Sequence, residues 1–414
     1  MRISYFVSSL ILFAALYAEA QTIITLEENI VTVDGIRYLK EVVVAPPEVP
    51  KNPWPDNLPS VIVSPAQRLS RDTFIEGAQF ARLTGDSRGI VGDVRGVRGT
   101  RAEPIWVVAD ETLVIDATND AFGLRLRNCE WINFYNLRIK AEAGDGIDIL
   151  EGCKNIRFVN CTVTGGNFGF MANQTSGNVI ANIHFKNCLA EEQTGSNFYA
   201  GGVFGKWGYE NCVGRNNRGK TDRSQIFYIS AMNSAPYATN CTAINGPMTG
   251  FQFRSGVTAK GLLVADCASG ILLGGLDGFE PEQFKSPKTG TLIDSVVVRS
   301  HGTPSGQWFH KGIEAQNGEY TISNCVVADT GTGVDVNGIT DKKQRIAIVS
   351  GASNIMLRVV EPIRTLNGGI CNVVIGEPMD KIIFDKAVSA IGGTDNYQQQ
   401  REDVLKAVSY LGLQ

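Results

Sequence analysis

The sequence predicts an all-β solenoid in the form of a parallel β-helix, and three observations carry that prediction. The first is a recurring phrase, an alternating apolar stretch that ends in Asn-Cys: Asn160-Cys161, Asn187-Cys188, Asn211-Cys212, Asn240-Cys241, Asp266-Cys267 and Asn324-Cys325, with Asn136-Leu137 and Asp294-Ser295 as variants. Successive Asn or Asp positions lie 24 to 30 residues apart, the length of one solenoid turn. The second is a period of two before each Asn, as in Ile156-Arg157-Phe158-Val159 and Ile183-His184-Phe185-Lys186, which is the pattern of a strand with one buried face. The third is another alternating segment that opens with Gly, as in Gly123-Leu124-Arg125-Leu126, Gly146-Ile147-Asp148-Ile149 and Gly270-Ile271-Leu272-Leu273. Short strands without a helical pattern between them exclude helical repeat arrays. The Asn belongs at a corner between strands, because it tolerates a left-handed backbone and bonds its own main chain.

Taken from the N-terminus, residues 1–20 read as a signal peptide, with Arg2, an apolar run from Val7 to Tyr17 and a small-x-small site at Ala18-Glu19-Ala20. Residues 21–60 form an extension. It holds a hairpin pattern around Asp34-Gly35 and a strap carrying Pro46, Pro47, Pro50, Pro53, Pro55 and Pro59. Residues 61–100 are the expected N-terminal cap, with a short helix from Asp72 to Leu83; a cap protects the open end of the solenoid from edge-to-edge association. The β-helix occupies 101–384. A helical segment occupies 385–414, where Val404, Leu405, Val408 and Leu411 share a face.

Composition narrows the function classes. The net charge of −4 leaves no basic footprint for nucleic acid, and no segment is long and apolar enough to span a bilayer as a helix. Six of the nine cysteines occupy the position after the corner Asn or Asp, where Leu137 and Ser295 substitute for them. That is how a small buried residue behaves, so free buried thiols are expected in place of a disulfide framework.

With these residues in hand, the chain resembles the right-handed parallel β-helix, or pectin-lyase-like, superfamily over roughly residues 100–375. The resemblance implies fold more than activity, since that fold carries polysaccharide lyases, hydrolases and epimerases as well as adhesins and tailspikes. Asp145-Gly146-Ile147-Asp148 resembles the strand-opening acidic motif of its polygalacturonase-type hydrolases and of some calcium-dependent lyases, which implies paired carboxylates for acid–base work or a hard cation such as calcium. The pattern departs in the next coil, where Asn167-Phe168 stands in place of further aspartates.

Two more groups are candidates. Arg215, Arg218, Lys220 and Arg223 fall within nine residues, on the side where the resemblance implies a substrate cleft; cations there would stabilise an enolate beside a uronate carboxylate. His301, His310, Lys311 and Glu314 gather on later coils. The outward column of the Gly-opened strands is read as Arg125, Asp148, Met171, Phe204, Phe227, Gln252, Leu272, Glu314 and Asp335. The expected catalytic residues are therefore Arg218, Lys220, Arg223, Asp145 and Asp148. Arg215, Tyr228, Phe227, Arg254 and Glu314 are expected to bind substrate. The function expected is an exported, secreted, periplasmic or cell-surface protein that binds an acidic polysaccharide, with β-elimination as its enzymatic version and a monomeric state. The alternative is a non-enzymatic adhesin or tailspike-like homotrimer.

Overall fold

The computed structural model describes residues 30–33, 36–39, 58–74, 78–173, 179–201, 206–221, 224–230, 235–275, 288–301, 310–337, 347–357, 359–366 and 369–376. The expected signal peptide, most of the proline strap, Arg223, Phe204 and the expected C-terminal helix lie outside them. The chain divides into two compact units, residues 1–57 and 58–414. In the first, Ile30–Val33 pairs antiparallel with Ile36–Leu39, Val33 opposite Ile36, which is the hairpin register that a two-residue Asp-Gly connection requires.

The second unit is a parallel β-helix with three sheets. Strands such as Glu130–Tyr135, Lys154–Val159, Ala181–Lys186 and Lys206–Glu210 stack in the first sheet. After the corner Asn, short strands such as Thr162–Gly165, Leu189–Glu191 and Val213–Arg215 make the second. The Gly-opened strands, among them Phe122–Arg127, Asp145–Ile149, Phe170–Asn173 and Lys311–Gln316, make the third.

All eight corner residues have left-handed backbone, with φ between 52° and 59°. Their amides form a ladder: Asn187 donates to Asn160 at 3.1 Å and Asn211 to Asn187 at 3.2 Å. The cysteine after each corner is buried, and all nine are free thiols. Each thiol in the column also donates to the carbonyl two residues back, at 3.3–3.5 Å. Ser295 makes the same bond to Ile293 at 3.0 Å. The position thus takes a small side chain that covers the core and supplies a weak donor to the bent backbone.

Inside, Phe134, Phe158 and Phe185 stack from the first sheet, with centroids 5.0 and 5.4 Å apart. Phe170, Phe198, Phe227 and Phe251 stack from the third at 5.0, 4.6 and 4.5 Å. The two stacks meet edge to face, as Phe185 does with Phe198 at 6.0 Å. These are favoured aromatic geometries. The openings of the third sheet need Gly because the backbones crowd there: a Cβ on Gly146 would lie 2.2 Å from Val163 and 2.7 Å from the Gly169 carbonyl.

The helix expected from Asp72 to Leu83 is not formed. A single 3-10 turn covers Arg71–Phe74, and Phe80–Leu83 is a strand pairing in parallel with Ser60–Val63 and Ile105–Ala109. Ala81 and Leu83 are buried while Arg82 is exposed, so the period there is two, and the first sheet already runs through residues expected to cap it. No helix among the described residues is long and apolar enough to cross a membrane.

Candidate functional site

The column on the outer side of the third sheet runs Asp93, Arg125, Asp148, Met171, Tyr199, Tyr228, Gln252, Leu272, Glu314, Asp335 and Arg364. Tyr199 and Tyr228, stacked 4.9 Å apart, stand where Phe204 and Phe227 were expected. Phe227 faces the opposite way, fully buried in the aromatic core, and cannot touch a substrate. The pairing register decides this, because a slip of one residue turns every side chain of a strand to the other face.

Most of the charge in this column is already paired. Arg125 donates to Asp148 Oδ2 from Nε at 2.8 Å and from Nη2 at 2.6 Å, and Asp148 is only 1% exposed. Burial, together with the neighbouring Asp145 charge, outweighs the Arg125 guanidinium and pushes the Asp148 carboxyl up to about 7. Its Oδ1 is buried with no hydrogen-bond partner among the described residues. Asp145 accepts from Asn167 Nδ2 at 3.3 Å and from the Phe168 N–H at 3.1 Å. The residues that break the acidic pattern therefore tie this carboxylate into a turn.

At the other end, Lys311 Nζ lies 2.6 Å from Glu314 and 2.7 Å from Asp335, and Arg364 binds Asp335 at 2.8 Å. Burial alone would raise the Asp335 carboxyl, but the hydrogen bonds from Arg364 and Lys311 hold it below the usual carboxylate range. Glu314, expected on the surface to bind substrate, is 2% exposed and belongs to this buried cluster. The histidines do not join it: His301 and His310 are exposed, and His310 Nδ1 lies 3.2 Å from the Ser300 carbonyl. No group of three or more His, Cys, Asp or Glu suited to a metal occurs among the described residues.

The expected cation loop is divided. Arg215 bonds Glu191 at 2.6 Å and is largely buried, Arg218 pairs with Glu192 at 2.5 Å, and Lys220 is exposed. Buried Asn217 shapes the loop by donating to Asn197 at 2.8 Å, while Asn197 donates to Ala190, Gln193 and Arg215. Arg254 lies in the turn just after the third-sheet strand that ends at Phe253, where its Nε and Nη2 both reach the Gln252 amide oxygen at 2.6 Å. Arg215, Asn197 and Asn217 thus tie the loop to the neighbouring coils.

A concave feature lies elsewhere, on the outer side of the first sheet. A cleft of about 580 Å³ is lined by Arg101, Pro104, Trp131, Asn133, Asn155, Arg157, Asn182, His184 and Lys206. Two adjacent columns build it: Trp131, Asn155, Asn182 and Lys206 in one, Asn133, Arg157 and His184 in the other. Asn155 and Asn182 have φ of 56°, and Asn182 donates to Asn155 at 3.0 Å, a second amide ladder.

Trp131 takes the Asn place in that ladder at φ 55°, a backbone state that is an outlier for a bulky residue and costs about 1–2 kcal/mol. Arg101, Arg157 and Lys206 are exposed, and none has a carboxylate within ion-pairing distance among the described residues. At the rim, His184 Nδ1 lies 2.9 Å from Tyr237 Oη. Burial, reinforced by Arg157 and Lys206, lowers the His184 imidazole to about 4. None of these residues was singled out as a site from the sequence. The signal was present: Asn133, Arg157, His184, Gly208 and Tyr237 each stand three residues before a corner Asn.

A family model described as a right handed beta helix region matches residues 115–273, and the fold is the right-handed parallel β-helix expected. No curated protein matches the sequence. Among solved structures, a pectate lyase is similar at 13% identity, over 75% of this chain and 78% of that one, with a TM-score of 0.44. A mannuronic acid specific polysaccharide family 6 lyase from human gut microbiota is similar at 11% identity, over 82% and 85%, with a TM-score of 0.37. A periplasmic alginate epimerase is similar at 8% identity, over 77% and 85%, with a TM-score of 0.33.

Proposed function

We propose that this protein binds an acidic polysaccharide along the cleft on the first sheet. The observation that carries the reading is the convergence of Arg101, Arg157 and Lys206, without carboxylate partners among the described residues, around the strained Trp131. An aromatic ring offers a sugar its apolar face, and guanidinium and ammonium groups pair with carboxylates through charge-assisted bonds. Arg157 and Lys206 stand two coils apart, which is about 10 Å at the usual strand spacing. A polymer with repeated charge meets both at once; a single small anion does not. Cations beside a uronate carboxylate also acidify the proton on the neighbouring ring carbon, so β-elimination is the cleavage such a cleft supports. The expected signal segment would place this binding outside the cytoplasm.

Titration calorimetry with alginate, polygalacturonate and a neutral glucan tests the proposal. Binding to the uronate polymers alone is expected, weakening as salt screens the exposed cations. Arg157→Gln combined with Lys206→Gln should weaken it by at least about tenfold, since a hydrogen bond to a charged group contributes about 1.5–3 kcal/mol. Equal affinity of the double variant and the parent, or equal affinity for the neutral glucan, would remove the cleft from consideration.

A further inference from the structure

The cleft contains a titratable pair that binding alone does not use. We infer that His184 is the proton acceptor of a β-elimination in this cleft and that Tyr237 is its positioning residue, an inference that rests on the cleft being the uronate site. The register along the first sheet runs Arg157, His184, Gly208, Tyr237, so the phenol reaches back across a whole coil to meet the imidazole. It can do so because residue 208 is glycine: a Cβ there would lie 2.1 Å from two ring carbons of Tyr237. The rings sit 5.9 Å apart and tilted by 38°, with Oη 2.9 Å from Nδ1. His184 lines the cleft and Tyr237 does not. The phenol therefore engages one ring nitrogen from outside the cleft and leaves Nε2 for the substrate.

The chemistry follows from that division. With Nδ1–H donating to Tyr237 Oη, Nε2 carries the lone pair. Nε2 takes the proton from the ring carbon that bears the carboxylate, and the C–H electron pair forms an enolate whose charge faces Arg157. That pair then makes the carbon–carbon double bond as the adjacent C–O bond breaks. The departing oxygen takes a proton from the Lys206 ammonium, after which His184 gives up and Lys206 regains a proton by exchange with water.

The charged and titratable groups around His184 are Arg157 on the preceding coil, Lys206 at the rim, the Lys186–Glu210 ion pair alongside and Tyr237. Burial first, then Arg157 and Lys206, keeps the imidazole neutral at neutral pH, so the acceptor is available without prior deprotonation. Substrate carboxylates set against the same two cations offset part of that depression and raise its basicity on binding.

The test measures uronate-polymer binding by calorimetry and unsaturated ends by ultraviolet absorbance on the same samples. His184→Asn is expected to bind within about twofold of the parent while elimination falls by about 10²-fold or more, the scale of a lost general base. Tyr237→Phe should lower kcat with KM unchanged. Ring-nitrogen NMR of the parent should show the Nδ1–H tautomer of His184, with that preference lost in Tyr237→Phe; a merely structural contact would leave kcat unmoved. A parent protein that binds uronate polymers without forming unsaturated ends overturns the inference and leaves the binding proposal standing, as does His184→Asn cleaving at the parental rate. A parent that binds no uronate polymer overturns both.

Discussion

Trp131→Asn separates a binding role for this residue from a structural one, because the two readings predict opposite combinations. Trp131 sits at φ 55° in a column whose neighbours Asn155 and Asn182 adopt the same backbone. A non-glycine residue in that region costs about 1–2 kcal/mol, and Asn tolerates it best. An Asn at 131 would also extend the ladder in which Asn182 already donates to Asn155, adding a bond with a net contribution of about 0.5–1.5 kcal/mol. Against this stands the loss of a half-buried indole, about 1–2 kcal/mol on area grounds. The terms leave the variant between about 0.5 kcal/mol less and about 2.5 kcal/mol more stable than the parent, read by urea unfolding. Affinity for uronate polymers should fall by about tenfold as the stacking surface disappears. A variant destabilised by 2 kcal/mol or more with affinity intact would show that the indole is there for packing, and the functional reading of its strain would fail.

Two further outcomes follow from the buried chemistry of the solenoid. Eight cysteines are buried and only Cys371 is half-exposed, with burial holding the Cys267 and Cys325 thiols up at about 12; a thiol reagent should therefore label one cysteine per native chain and nine after denaturation, and rapid native labelling of more than two would contradict the column. Asp148 is raised in the folded state to about 7 from an unfolded value near 3.9, so its protonated form favours folding. Its contribution is fully present below about pH 4 and is lost as pH rises towards about 7. Unfolding midpoints should fall over that window in the parent and stay flatter in Asp148→Asn; the same slope in both would place the shift elsewhere.

The solenoid was legible in the sequence because its physics repeats. Eight successive turns share a left-handed corner, so Asn or Asp returns in each of them, and the buried position after the corner favours a small side chain, so Cys returns at six. The cap was misread for lack of that repetition: Phe80–Leu83 is too short to show its period of two. The third sheet was counted from its glycines, which works until a coil opens without one. Ahead of Phe198 stands Asn197, and ahead of Phe227 stands Ile226. Counting from the nearest Gly there shifted the register, placing Phe227 outside and overlooking Tyr199.

The candidate site was missed for a related reason. Charge runs draw attention along the chain, and Arg215, Arg218 and Lys220 form such a run, yet two of these three are paired with carboxylates one coil away. A cleft on a solenoid is assembled across the chain, from single residues about one repeat apart. Arg157, His184 and Tyr237 look isolated in sequence, and only alignment on the corner Asn brings them into one column. This column and the one beside it each depart from the structural pattern once, with a Trp in an Asn place in the neighbouring column and a Gly beneath a Tyr in this one. Both departures lower packing or backbone economy where they occur, and they fall on the same face of the same sheet. One departure, Trp131, lines the 580 Å³ cleft and the other, the Gly208–Tyr237 pair, holds the His184 that lines it; a shared ligand gives two such compromises a common reason.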